Sequence, residues 1–196
     1  MSVPQCNVLL IGDANTGKTS IARVYADGSF AENYNTTLCP TSQTKSFLTP
    51  SGAFQLIIYD TAGTEGWKSL NASLYNKTHA IIFVVSMDSI ESLDNIIDVW
   101  KPEIGSYIDE SNYKAFIAVN KIDLPKEEQL LTENVIKEKA LLINAKVFMV
   151  SAKESIMIKE MFLELAAILN NSPLEAVREG DPKTEESDVV CNCGLI

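Results

Sequence analysis

The sequence predicts an α/β fold: a mostly parallel six-stranded sheet with one antiparallel strand and helices on both faces. Three observations carry that expectation. Short, continuous apolar runs alternate with stretches of helical periodicity, as happens when strands are buried on both faces by crossover helices. Two of the runs, 42–48 and 54–59, are joined by a tight turn at Pro50-Ser51-Gly52, so that pair is a hairpin and supplies the antiparallel strand. With 196 residues, 46% of them apolar, the chain has enough material for one sizeable core.

Taken in order, residues 6–11 read as a short buried strand ending at a glycine, and 19–26 as a helix. The hairpin strands follow, and 80–86 is a continuous buried strand. Leu93, Ile96, Ile97, Trp100 and Ile104 recur at helical spacing and mark one helix face. Residues 115–120 form another buried strand, 133–144 a helix and 146–150 the last strand. Ile158, Met161, Phe162, Leu165, Ile168 and Leu169 give the clearest amphipathic helix. The pattern stops near Asn171. Residues 172–196 hold six acidic and two basic residues and two prolines. The expected organisation is a domain over 1–171 and a flexible acidic tail over 172–196.

Sixteen basic against 26 acidic residues leave a net charge of −10, which argues against a nucleic-acid binder. No apolar run approaches the roughly 20 residues of a membrane span, and the first residues lack the pattern of a secretory signal. The cytosolic side is therefore expected, with Cys6 and Cys39 as free thiols. The only histidine, His79, starts a buried strand and reads as structural.

Gly12-Asp13-Ala14-Asn15-Thr16-Gly17-Lys18-Thr19 fits G-x-x-x-x-G-K-[ST] between a strand and a helix. The two glycines let the backbone curl so that successive N–H groups face anionic oxygens. The helix start adds its dipole. Lys18 neutralises the outer phosphates and the Thr19 hydroxyl ligates Mg²⁺. This makes the fold that of a P-loop NTPase. Asp60-Thr61-Ala62-Gly63 follows a strand, so Asp60 can hold the same Mg²⁺ and the Gly63 N–H can approach a γ-phosphate. Between them, 30–40 is polar and irregular, with Thr36 and Thr37 both candidates for a second hydroxyl on the metal.

Asn120-Lys121-Ile122-Asp123 follows the fifth strand. The Asp123 carboxylate can accept from N1–H and the 2-amino group of guanine, a donor pair adenine lacks. The Lys121 stem can lie over the ring, and Asn120 can tie this loop to the phosphate loop. Ser151-Ala152-Lys153, after the last strand, supplies a backbone N–H for the guanine O6.

These four segments, in this order and spacing, resemble the Ras superfamily of small GTPases over about residues 5–170 and the tail, and within it the Rab branch. Gly12 through Ser20, Leu74 through Ala80, Ser89–Leu93 and Trp100 carry the Rab likeness. The resemblance places Phe30 against the guanine edge, puts Tyr34 and Thr37 in a first switch, which selects Thr37 over Thr36, and makes 64–75 a second switch. It implies a Mg²⁺-dependent GTP hydrolase binding GTP and GDP, monomeric, with effectors at the switches. It also implies an exchange factor, an activating protein and a GDP-dissociation inhibitor as partners.

The departures are specific. Thr64 stands where the family has the water-orienting glutamine, so slow intrinsic hydrolysis is expected. Ala14 could crowd an incoming arginine. Leu38-Cys39-Pro40-Thr41-Ser42 departs from the Rab pattern, with Pro40 lacking an N–H. Trp67, with Phe54 and Tyr75, is a candidate exposed aromatic patch. Cys191 and Cys193 resemble a Rab C-x-C prenylation pair, or Cys193 opens a C-a-a-X-like box ending in Ile196. With no polybasic patch, two lipids would hold the chain on the cytoplasmic face of intracellular membranes, cycling with cytosol. The leading expectation is a GTP/GDP switch of vesicle traffic, and the alternative a GTP-loaded binding module with little turnover. A P-loop kinase fits less well, because its lid needs arginines and only Arg23 and Arg178 occur.

Overall fold

The computed structural model describes residues 3–31, 41–61 and 74–180. The expectations placed on Tyr34, Thr36, Thr37, Cys39, Pro40, Gly63, Thr64, Trp67, Cys191 and Cys193 lie outside the described residues.

The described chain runs β1 (Gln5–Ile11), α1 (Lys18–Asp27), β2 (Thr41–Thr49), β3 (Gly52–Asp60) and β4 (Thr78–Ser86). Next comes α2 (90–105), built from Ile90–Asn95, a wide π turn at Ile96–Trp100 and Lys101–Gly105. It continues with β5 (Lys114–Asn120), α3 (Glu133–Leu142), β6 (Lys146–Met149), α4 (Ile158–Leu169) and β7 (Arg178–Glu179). The sheet order is β6-β5-β4-β1-β3-β2-β7. β6 through β3 are mutually parallel, and β2 is antiparallel to β3. The α/β expectation holds, with a seventh strand added.

Strand alternation splits the core into two layers. Val8 and Leu10 of β1, with Ala80, Ile82 and Val84 of β4, face α1 and α4, where Ile21, Tyr25, Met161, Phe162 and Leu165 meet them. Leu9, Ile11, Ile81, Phe83 and Val85 point the other way, onto Leu93, Ile96, Trp100 and Ile104 of α2 and Ile136 of α3. The helical spacings read from the sequence are thus the buried faces. Phe162 stacks on Tyr25 with ring centroids 4.0 Å apart; Phe162→Ala would cost about 3–5 kcal/mol of stability.

Phe54 and Tyr75 do not form an exposed aromatic patch. They are 2% and 1% exposed and lie under opposite faces of the sheet. Phe54 stacks on Phe47 and Tyr75 on Tyr107. His79 does play a structural part, but from an exposed position: the β1–β4 register skips it, and its Nδ1 accepts the Asn7 N–H at 3.0 Å.

Order continues past Asn171, where the flexible tail was expected. After a single 3-10 turn at Leu174–Ala176, Val177 is buried in the α1/α4 layer. β7 then pairs antiparallel with β2 through Leu48↔Arg178 and Phe47↔Glu179, and the Gly180 N–H donates to Ser46 O at 2.8 Å. Two paired residues and one apolar anchor are too short for a period-2 signal, which is why the sequence did not reveal them.

Candidate functional site

The carboxyl ends of β1, β3, β5 and β6 meet on one edge of the sheet, and the described residues of the four sequence motifs lie there. The phosphate loop links β1 to α1. Gly12 has φ 149°, and a Cβ on it would stand 2.2 Å from Val84 O on β4. Gly17 caps α1 with φ 94°, and a Cβ there would stand 2.2 Å from Asn120 Nδ2. Backbone conformation and space both restrict these positions to glycine. Lys18, 5% exposed, turns back on its own loop and donates to Gly12 O at 2.8 Å and Asp13 O at 2.7 Å. The Thr16 hydroxyl donates to Asp13 O at 2.9 Å. Burial pulls the Lys18 ammonium down to about 8 from its ordinary 10.5, against the opposing charges of Asp60 and Asp13.

Asp60 closes β3 in register with Leu10 of β1, beside that loop. It is 2% exposed, and burial raises its carboxyl pKa, opposed by a hydrogen bond from the Thr19 hydroxyl and the charge of Lys18. Its Oδ1 is buried and has no hydrogen-bond partner among the described residues. A buried carboxylate oxygen without a donor is costly unless a cation completes it. A carboxylate and a hydroxyl are the hard oxygen donors Mg²⁺ takes, so Asp60 and Thr19 fit that ion. The Thr61 hydroxyl fastens the same segment to β1, donating to Leu10 O at 2.7 Å.

Asn120 joins three loops. Its Nδ2 donates to Thr16 O of the phosphate loop at 2.9 Å, and its Oδ1 accepts the Ala152 N–H at 3.0 Å. The Ala152 N–H, one candidate donor to a purine O6, therefore has Asn120 as its acceptor here. The Ser151 hydroxyl donates to Asp123 Oδ1 at 2.5 Å and fixes the carboxylate. Lys121 sits at φ 66°, with its Nζ 3.2 Å from Asp88. Lys153 is exposed beside them, and Phe30 is 38% exposed after α1. A cavity of about 620 Å³ lies between the phosphate loop (13–16), Lys121 and, for most of its wall, the end of β4 and α2, including Asn95 and Trp100.

Sequence reasoning missed four partners here: Thr61 as a tether, Asp88 beside Lys121, and Asn95 and Trp100 of α2. The last two bind the Asp13 carboxylate, Asn95 Nδ2 to Oδ2 and Trp100 Nε1 to Oδ1, each at 2.8 Å. The one available signal was chemical: an indole N–H on a buried helix face needs an acceptor.

Comparisons with known proteins agree with this geometry. The family model described as "Ras family" matches residues 7–171. The chain is 32% identical over 165 residues to the GTP-binding protein YPTM1 of Zea mays, covering 84% of this chain and 78% of that one. It is 29% identical over 164 residues to the Ras-related protein Rab-1 of Theileria parva, covering 84% and 74%. To the GTP-binding protein ypt1 of Schizosaccharomyces pombe it is 30% identical over 159 residues, covering 81% and 77%. The chain belongs to the Ras family of small GTPases, on its Rab branch, and is accordingly a GTP hydrolase.

Proposed function

We propose that the chain is a membrane-tethered GTP/GDP switch of vesicle traffic whose intrinsic hydrolysis is slow. The observation that carries the nucleotide part is Asn120, which binds the phosphate loop and the Ser151-Ala152-Lys153 loop at once and so locks a phosphate site to a guanine site.

In this reading the backbone of Asp13, Ala14, Asn15, Thr16 and Gly17, with Lys18, Thr19 and Ser20, cradles the phosphates. Lys18 brings an ammonium already held at the loop's inner face. Asp123, oriented by Ser151, reads the guanine edge, while Lys121 and Phe30 flank the ring and Ala152 and Lys153 close the site. Thr19, Thr37 and Asp60 would hold Mg²⁺, which when bound neutralises charge on the outer phosphate oxygens. Thr37, Tyr34 and Gly63 would order around the γ-phosphate, creating the effector surface that hydrolysis releases.

Thr64 sets the rate. Its side chain is shorter than glutamine and has no amide, so the attacking water lacks its usual orienting group. Without a partner's contribution the chain stays GTP-loaded longer, and the second reading, a GTP-bound module with little turnover, follows from the same residue. In the tail, prenyl groups on Cys191 and Cys193 would supply the membrane anchor. The exchange factor, activating protein and GDP-dissociation inhibitor of Rab-like cycles are its expected partners.

Single-turnover hydrolysis of GTP-loaded protein tests this. Thr64→Gln should raise the intrinsic rate about tenfold or more, and an unchanged rate overturns the role given to Thr64. Turnover that stays negligible with any activating protein favours the second reading. Mass spectrometry of the C-terminal peptide from native membranes reads the lipids directly, and two unmodified thiols there would contradict the anchor.

A further inference from the structure

The phosphate loop is also held by a helix, α2, that carries none of the four sequence motifs. Asp13 is the second residue of the loop, and its backbone and side chain are fixed separately. Its carbonyl accepts from Lys18 Nζ and from the Thr16 hydroxyl, on the inner side of the loop. Its carboxylate is held by α2, with the Trp100 indole N–H on Oδ1 and the Asn95 amide on Oδ2, both at 2.8 Å. Both carboxylate oxygens thus receive a donor from one helix.

That arrangement depends on an irregularity. Residues three or four apart share a face of an α-helix, whereas Asn95 and Trp100 are five apart and would diverge. Between them α2 makes its π turn, Ile96–Trp100, closed by the Lys101 N–H to Ile96 O. One more residue per turn brings positions five apart onto one side. Trp100 consequently reaches Asp13 with its N–H while its ring stays 6% exposed among Leu93, Ile96 and Ile104.

We propose that Asn95 and Trp100 are positioning residues for nucleotide retention: they draw the Asp13 carboxylate onto α2, away from the phosphates, and hold the loop in its cradle shape. An untethered carboxylate next to Ala14, at the exposed turn of the loop, would repel the anion the loop receives and let the backbone N–H groups drift. Neither residue touches the nucleotide in this account; both act through Asp13. The proposal rests on the guanine-nucleotide reading above.

The test is release of a fluorescent GDP analogue from the Mg²⁺-loaded full-length chain, chased with excess GDP. Trp100→Phe keeps the ring and removes the donor, and should speed release about tenfold, in keeping with the loss of a hydrogen bond to a charged group. In an Asp13→Ala background the same substitution should change release little, because no carboxylate remains to be held. Thermal unfolding gives the contrast: packing lost at Trp100 would lower the melting temperature equally in both backgrounds. If Trp100→Phe leaves release unchanged, or speeds it by the same factor with and without the Asp13 carboxylate, the proposal is overturned. Asn95→Asp, at a half-buried polar position, provides a second route should Trp100→Phe not fold. It sets a charge against Asp13 and should speed release, and Asp13→Asn should relieve it; no effect on release again overturns the clamp. A wild-type chain that bound no guanine nucleotide would instead sink the underlying reading.

Discussion

The phosphate loop and the base-side loops lie at the same edge of the sheet and are built by opposite means. The phosphate loop is shaped by the backbone, through two glycines at positive φ where a Cβ would lie only 2.2 Å from a neighbouring atom, and a lysine bound to the loop's own carbonyls. The base side is shaped by side chains, through Asn120, Ser151 on Asp123, and Asp88 on Lys121. A backbone-built site should fail outright when a methyl group is added. A side-chain-built site should lose affinity stepwise as donors are removed.

The largest effect is therefore expected from Gly12→Ala. Its Cβ would meet the main-chain carbonyl of Val84, which cannot rotate away, so β1 and β4 must separate. Circular dichroism melts should show a loss of several kcal/mol, about 3 or more, with no measurable nucleotide binding. Gly17→Ala meets a side chain instead and would displace Asn120 Nδ2 from Thr16 O. Asn120→Ala removes both bridging hydrogen bonds and leaves two buried backbone groups unpaired. GDP titration should show affinity down by about 2–4 kcal/mol, with guanine selectivity reduced too. Equal GDP affinity in that variant would mean the two halves are independent.

The pH response sharpens the comparison, because Lys18 belongs to the phosphate side alone. Its folded pKa is lowered to about 8, and the phosphates need the ammonium form. Phosphate oxygens raise that pKa, so binding takes up a proton around pH 8. GDP affinity should be flat below about pH 7 and fall by up to about tenfold per pH unit above 8. The nucleotide-free fold responds in the opposite sense. Between pH 8 and 10.5 the unfolded chain holds the Lys18 proton longer than the folded one, so this group's contribution to stability rises with pH. Calorimetry in buffers of different ionisation enthalpy checks the proton uptake. Ser151→Ala should have the smallest effect, a fewfold loss of guanine affinity, because Asp123 keeps its charge and loses only its orienting hydroxyl.

What was legible in the sequence follows the same division. Glycine-bounded turns, strand runs and helix periodicity are local, and they placed β1–β6 and the four helices within a few residues. The motif residues Lys18, Asp60, Asn120 and Asp123 were readable because phosphate and guanine chemistry dictates their types. The partners that hold them were not. Asn95 and Trp100 lie 82 and 87 residues from Asp13, and only the fold brings them together. The π turn that aligns them leaves no trace in apolar spacing, since Ile96 and Trp100 also fit an ordinary helix face. β7 was missed because its pairing is two residues long and depends on Val177 finding the core.

The most direct test of the account is nucleotide competition on purified, Mg²⁺-supplied protein. A bound fluorescent GDP analogue should be displaced by unlabelled GTP or GDP at concentrations at least about 100-fold below those needed for ATP, because Asp123 pairs with a donor edge that adenine lacks. Displacement by ATP at the same concentrations as GTP would contradict it.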